Sequence, residues 1–437
     1  MRQRLARLVT SAPLPALALA LVGLAATAAH AEEPAALPDA LPPLDDAVVG
    51  ETPPVQVFAE ARMRAALDAA RELTRNDTAA AVGLGGRAGV ITQLDFGRIA
   101  VGFGEAGALG MAGADTPLVQ RPPVHLLQRA ELVLEGSLVG VPAEVSLGRA
   151  PLAIGDGRLF GAEPFDLYGR SFDGGRAQLH GDIVDVGVGA WWLGGVGEAL
   201  DVAAAVDGAL TAGEAIDLDA WMVAESAGAV GLLVPTVGAR VRAALWSLQG
   251  RAAAELQGPL AAASLDGAGL AGRITAGGRA TLDEGALGVP LPRAFVDVDT
   301  EVVAGAVVAG RVLRAPAPTL HGTRGALDLL APDNTWKAAL ALGLVEERLT
   351  STLTGMVVGV VDRAGPLVDP RGAPVVARRQ GGGGVALWEL DLELRAELSA
   401  DLALGVTWGV AAPGAALVGE VPAQRLLVEL CAKTNGW

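Results

Sequence analysis

Cysteine is nearly missing: Cys431 stands alone in 437 residues, so no disulfide forms within the chain and no cysteine-based metal site can be built. Basic residues are scarce against acids, 33 Lys plus Arg to 49 Asp plus Glu, for a net charge of −16. That balance argues against nucleic acid as a partner, because phosphates are held by clustered Lys and Arg. Aromatics make up only 4% of the chain, and Tyr168 is the lone tyrosine. Long apolar runs are absent after residue 31. The longest uncharged stretch, Leu402 to Gly419, is broken by Pro413-Gly414, whereas a spanning helix needs about 20 continuous apolar residues. Charged residues reach 19%, below the roughly one quarter of an ordinary soluble chain, while 51% are hydrophobic. Such apolarity without helical runs leaves a large soluble core, or a barrel wall in which apolar and polar residues alternate.

What is present begins with an export signal. Arg2, Arg4 and Arg7 make a positive start, Leu14 to Leu24 an apolar core too short for a membrane anchor, and Ala29-His30-Ala31 a small-residue cleavage site. Residues 1–31 are therefore expected to be a signal peptide cut after Ala31. Residues 32–54, rich in proline and acids and without periodicity, read as a disordered leader. No later composition break divides the chain, so residues 55–437 are expected to form one unit.

Within that unit the hydrophobic period is two. In Trp388–Leu398 one face carries Trp388, Leu390, Leu392, Leu394, Ala396 and Leu398; the other carries Glu389, Asp391, Glu393, Arg395 and Glu397. A helix, with 3.6 residues per turn, cannot sort charges this way. A turn at Ser399-Ala400-Asp401 follows, and Leu402, Leu404, Val406, Trp408 and Val410 resume the apolar face. Val55–Leu67 sets Val55, Val57, Met63 and Leu67 against Glu60, Arg62 and Arg64. Ile216, Leu218 and Met222 likewise oppose Asp217 and Asp219, and Val296 and Val298 oppose Asp297, Asp299 and Glu301. These runs span about 9–13 residues, the length a tilted strand needs to cross a bilayer, against about 5–6 for soluble strands. The expected fold is all-β: a single-chain transmembrane antiparallel barrel of about 16–18 strands in the outer membrane of a Gram-negative bacterium. Longer connections are expected at 104–123, 154–175, 305–324 and 362–385.

The block Pro123–Trp192 adds motifs to this periodicity. Gly148-Arg149 ends a strand; Gly155-Asp156-Gly157-Arg158-Leu159-Phe160-Gly161 forms a glycine-rich loop; and Gly169-Arg170-Ser171-Phe172-Asp173-Gly174 opens the next strand. Together with Leu390-Asp391-Leu392-Glu393-Leu394 and its closing hairpin, this resembles the alginate-export family of outer-membrane barrels. The resemblance implies one barrel, commonly of 18 strands, passing polysaccharide or other polar solutes, with periplasmic export partners and no cofactor. That family's alginate channel is lined with many basic residues; the acidic balance here repels a polyuronate in a confined lumen.

Candidate lumen and constriction residues are Arg149, Asp156, Arg158, Arg170, Asp173 and Arg176, beside glycine, and the inward-face charges Arg62, Arg64, Arg129, Glu131, Arg240, Arg242, Glu389, Asp391, Glu393 and Arg395. Guanidinium and carboxylate groups at a narrow point select passing solutes; they also pair across strands and pin a loop without any ligand. The expected work is passive passage of polar solutes, with lipid and solute as partners. The competing readings are a secreted structural or adhesive β protein without a pore, or a barrel hydrolase. The hydrolase has little behind it: His125, His180 and His321 are scattered without ligand spacing, and Gly83–Gly89 lacks the Lys-Ser/Thr ending of a phosphate loop.

Overall fold

A computed structural model describes residues 55–70, 73, 78–110, 124–154, 171–192, 202–212, 215–227, 232–245, 248–257, 271–282, 293–305, 326–327, 329–331, 334–363, 365, 367–368, 375, 379, 384–419 and 421–435. The signal peptide and acidic leader lie outside them.

Eighteen strands form one sheet: β1 (Val55–Ala69), β2 (Thr78–Leu94), β3 (Gly97–Gly110), β4 (Val124–Leu138), β5 (Val141–Ala150), β6 (Phe172–His180), β7 (Val184–Trp192), β8 (Val202–Ala212), β9 (Ile216–Ala227), β10 (Leu232–Leu245), β11 (Leu248–Gln257), β12 (Ala271–Leu282), β13 (Arg293–Gly305), β14 (Thr335–Glu346), β15 (Leu349–Val360), β16 (Gly384–Ser399), β17 (Leu402–Pro413) and β18 (Ala423–Asn435). Each pairs antiparallel with its sequence neighbours, and β1 also pairs with β18, Phe58 opposite Asn435 through Ala69 opposite Gln424. The sheet therefore closes on itself, satisfying every backbone row and removing the free edges that oil would leave unpaired. A ring of this size encloses water. Among the described residues no second sheet covers the outer wall.

The alternation read from the sequence sorts onto the two faces. Outward positions hold exposed aliphatics such as Val57, Met63, Leu84, Val186, Met222, Leu342 and Leu390, while buried charges such as Arg64, Glu131, Glu301 and Asp391 point inward. The ends differ. One end has tight turns, including Val139-Gly140, where φ is 54° and 83°, the left-handed pair of a type I′ hairpin. The other end carries the long connections between β3 and β4, β5 and β6, β13 and β14, and β15 and β16.

Three strand limits differ from the sequence expectation. β3 takes in 104–110, β6 takes in 172–175, and β18 runs on through Cys431-Ala432-Lys433-Thr434, where the sequence turns polar. The first hides because glycine and alanine fill most of both faces, and the second because Phe172-Asp173-Gly174-Gly175 is too short and glycine-rich to show a period. The third is held by its register against β1, with Glu60 opposite Lys433 and Arg62 opposite Cys431.

Close approach explains one glycine directly. Gly238 on β10 lies opposite Trp221 of β9, and a Cβ there would collide with the indole. Gly238→Ala is expected to expel Trp221 from its buried seat and destabilise the barrel by about 1–3 kcal/mol, as overpacking does. Loss of the blue-shifted tryptophan emission and a lower urea midpoint would register it.

Candidate pore lining and constriction

Inward charges pair across and along the strands over much of the ring. On β9–β14, Arg240 donates to Asp219 at 2.7 Å, and Arg242 reaches Asp217 at 3.6 Å and Asp219 at 3.7 Å. Arg251 lies 3.2 Å from Asp297 and 3.5 Å from Asp299, Arg279 donates to Asp297 at 3.0 Å, and Lys337 sits 2.6 Å from Asp299. Arg273 lies between Glu255 at 3.0 Å and Glu301 at 3.3 Å. Elsewhere on the ring Arg62 pairs with Glu60, Arg87 with Glu60 at 2.6 Å, Arg64 with Glu429, Arg129 with Glu131 at 2.7 Å, and Arg176 with Asp207. Antiparallel registry puts Arg64, Arg87, Arg240, Arg273 and Arg279 directly opposite an acid, so two-residue alternation on adjacent strands builds much of the belt.

Burial divides the belt along the pore. Near the turn end the charges stay wet: Arg242 and Asp217 are 47% and 44% exposed, and Glu393 and Arg395 are exposed as well. Toward the loop end they are covered, as with Glu225, Glu255, Arg273, Glu301, Lys337, Glu389 and Asp391. On these strands the inward charges are thus more covered at the loop end than at the turn end.

Two folded-in segments account for part of this cover. Leu152 and Ile154, just after β5, pack with Phe172, Trp191, Trp221 and Val223 on the inner wall of β6–β9. Residues 326–331, before β14, bury Leu327 and Leu330 with Met356, Val358, Leu387, Ala411 and Leu417 on β15–β18 and the connections beside them. These arcs lie about half the 18-strand ring apart, so the segments approach the pore from opposing sides. The second is pinned by charge. The Ala326 amide donates to Asp391 at 3.2 Å and the Leu327 amide to Glu389 at 3.0 Å. Arg425, held bidentately by Asp68, donates to the Ala326 carbonyl at 2.9 Å.

The structure distributes the sequence-derived candidates as follows. Arg62, Arg64, Arg129, Glu131, Arg176, Arg240, Arg242, Glu389, Asp391, Glu393 and Arg395 share the inward face. Glu389 and Asp391 hold a loop rather than face open water. Asp156, Arg158 and Arg170 lie outside the described residues. Arg149 and Asp173 require a correction: they are not in the lumen. Arg149 is opposite Ala130, whose neighbours Arg129 and Glu131 point inward, so Arg149 and its partner Asp173 project from the outer wall. The parity of β5 decides this, and the sequence around Gly148 does not display it. Asp68, Glu255, Lys337 and Arg425 were passed over, although extending the alternation through β1, β11, β14 and β18 would have placed each inward. Of the histidines, His180 lies 3.4 Å from Asp185 at the turn end of β6 and β7, His125 is on β4, and His321 lies outside the described residues.

No protein-family model and no curated protein matches this chain. Solved barrels do. It is similar to OccD3 (OpdP) of Pseudomonas aeruginosa, with 12% identity, a TM-score of 0.57 and cover of 89% of this chain and 93% of that one. For the outer membrane protein OprD of the same organism the figures are 10%, 0.59, 88% and 94%, and for OccAB1 of Acinetobacter baumannii 9%, 0.60, 87% and 96%. At these identities the likeness speaks for the fold, and the closed 18-strand barrel described above is the architecture it shares with those outer-membrane porins.

Proposed function

We propose that this protein is a bacterial outer-membrane channel through which small polar solutes diffuse passively. The observation that carries the reading is the sorting of a closed 18-strand ring, aliphatic outside and charged inside, since only a wall between oil and water makes that arrangement stable. It works without a cofactor. In this orientation the tight turns face the periplasm and the long connections the exterior. Export follows cleavage after Ala31.

Selectivity lies in the opposed inward segments and the paired belt behind them. Alternating guanidinium and carboxylate groups suit small polar or zwitterionic solutes, which exchange hydration for both signs. The alginate-export resemblance extends the reading to polysaccharide handed over by a periplasmic partner. The interleaved acids make a polyuronate the weakest polymer candidate.

Planar-bilayer recordings test this. Discrete steps are expected, with a reversal potential in a salt gradient that favours cations because acids outnumber bases. Polyuronate added to either side is expected to leave the current unchanged. An absence of steps from folded, inserted protein would overturn the channel.

A further inference from the structure

Arg149 and Asp173 have no place in the pore, yet they are charged and face outward. Among the described strand residues the outward charges are these two, Glu105 and, at the turn end of β14, Glu346. The rest of the outer wall is aliphatic, small or aromatic, as with Phe103, Trp192 and Trp388. On β5 the outward row runs Val141, Val145 and Leu147 and then reaches Arg149; on β7 it runs Val184, Val186 and Val188 and then reaches Trp192. Asp173 stands opposite Trp192. Charge and indole thus occur together where the aliphatic rows of β5 and β7 stop, the kind of place where a bilayer changes from hydrocarbon to headgroup.

The pair is built and wet. The Arg149 Nε donates to Asp173 Oδ1 at 2.7 Å, Nη2 holds the other carboxylate oxygen, and Nη1 donates to the Leu127 carbonyl at 3.2 Å, beside the bulge where β3 and β4 slip register. The guanidinium is thereby fixed in direction while its side chain remains 30% exposed and that of Asp173 54% exposed.

We propose that this patch docks the phosphorylated headgroup of an outer-leaflet glycolipid. The fit is to a phosphate carrying a bridging divalent cation: Arg149 faces a phosphate oxygen, and Asp173, which would repel a bare phosphate, faces the cation. Trp192 lies against the sugar–acyl boundary. This rests on the membrane-barrel reading above.

Native mass spectrometry of the full chain, with bisphosphorylated lipid A, its dephosphorylated form and magnesium as probes, tests it. The wild type is expected to retain the phosphorylated lipid preferentially, and less of it after chelation. Arg149→Gln is expected to abolish the preference, lowering retention about tenfold, as loss of one charge-assisted contact does. Asp173→Asn is expected to remove the dependence on magnesium. Equal retention of both lipids by the wild type, unchanged preference in Arg149→Gln, or a dimer of the chain that Arg149→Gln dissolves would each overturn the assignment. Bilayer conductance separates the two failures: unaltered steps in wild type and Arg149→Gln keep the channel while the lipid site falls.

Discussion

Replacing Glu389 and Asp391 together by alanine is expected to open the channel. Both carboxylates accept backbone amides of the segment at 326–327 and hold it in the lumen. A hydrogen bond to a charged group contributes about 1.5–3 kcal/mol. Losing two shifts the balance between pinned and released segment by on the order of a hundredfold or more. Released, the segment exposes Leu327 and Leu330, which now pack on the wall of β15–β18, so part of the gain is offset by lost apolar burial. Single-channel recordings should show a larger step or a frequent larger substate, with faster entry of bulky solutes. Conductance identical to wild type would mean that apolar packing alone holds the segment. Arg425→Ala acts on the same segment through its Ala326 carbonyl, and it also leaves Asp68 buried without its cation.

The second large effect is on stability. Arg273 is 4% exposed and lies between Glu255 and Glu301, themselves almost fully covered. Removing this cation leaves Glu255 and Glu301 covered without it, with Lys337 opposite Glu301 as the remaining neighbouring cation. Arg273→Ala is expected to cost about 3–5 kcal/mol, the usual result of breaking a buried ion pair from one side. Urea unfolding in lipid vesicles, followed by tryptophan emission and by gel mobility without heating, measures this directly. The triple variant Arg273→Met, Glu255→Gln, Glu301→Gln should recover most of the loss, because a neutral set of similar volume avoids stranded charge. A single variant as stable as wild type would show that water enters this part of the wall.

The outward charge pair sharpens the same contrast between water and oil. At the bilayer midplane an outward arginine costs about 2–4 kcal/mol, falling to about 0–1 near the interface. Arg149 and Asp173 stand beside Trp192 where the aliphatic rows of β5 and β7 stop, and the proposed membrane placement puts them near that interface.

Legibility in the sequence followed contrast. Trp388–Leu398 announced its faces because leucine and carboxylate alternate without a break, and β16 places them as read. β1, β9 and β13 did the same for Arg62, Asp219 and Asp297. The glycine–alanine end of β3 gave no contrast and read as loop. Around Gly148 a φ of +121° fits only glycine comfortably, but it does not tell which face the next residue takes. Arg149 was therefore assigned to the wrong side.

Composition and the two-residue period were enough to determine an all-β wall, approximate strand number and the separation of charge from aliphatic surface. These are local properties, fixed by how successive side chains leave an extended backbone. Ring closure between β1 and β18, the pairing of each arginine with its acid, and the two segments folded into the lumen were decided only in three dimensions. Each depends on register and on contacts between residues distant in the chain, such as Ala326 with Asp391 and Asp68 with Arg425. A one-residue slip would invert a whole strand without changing its composition.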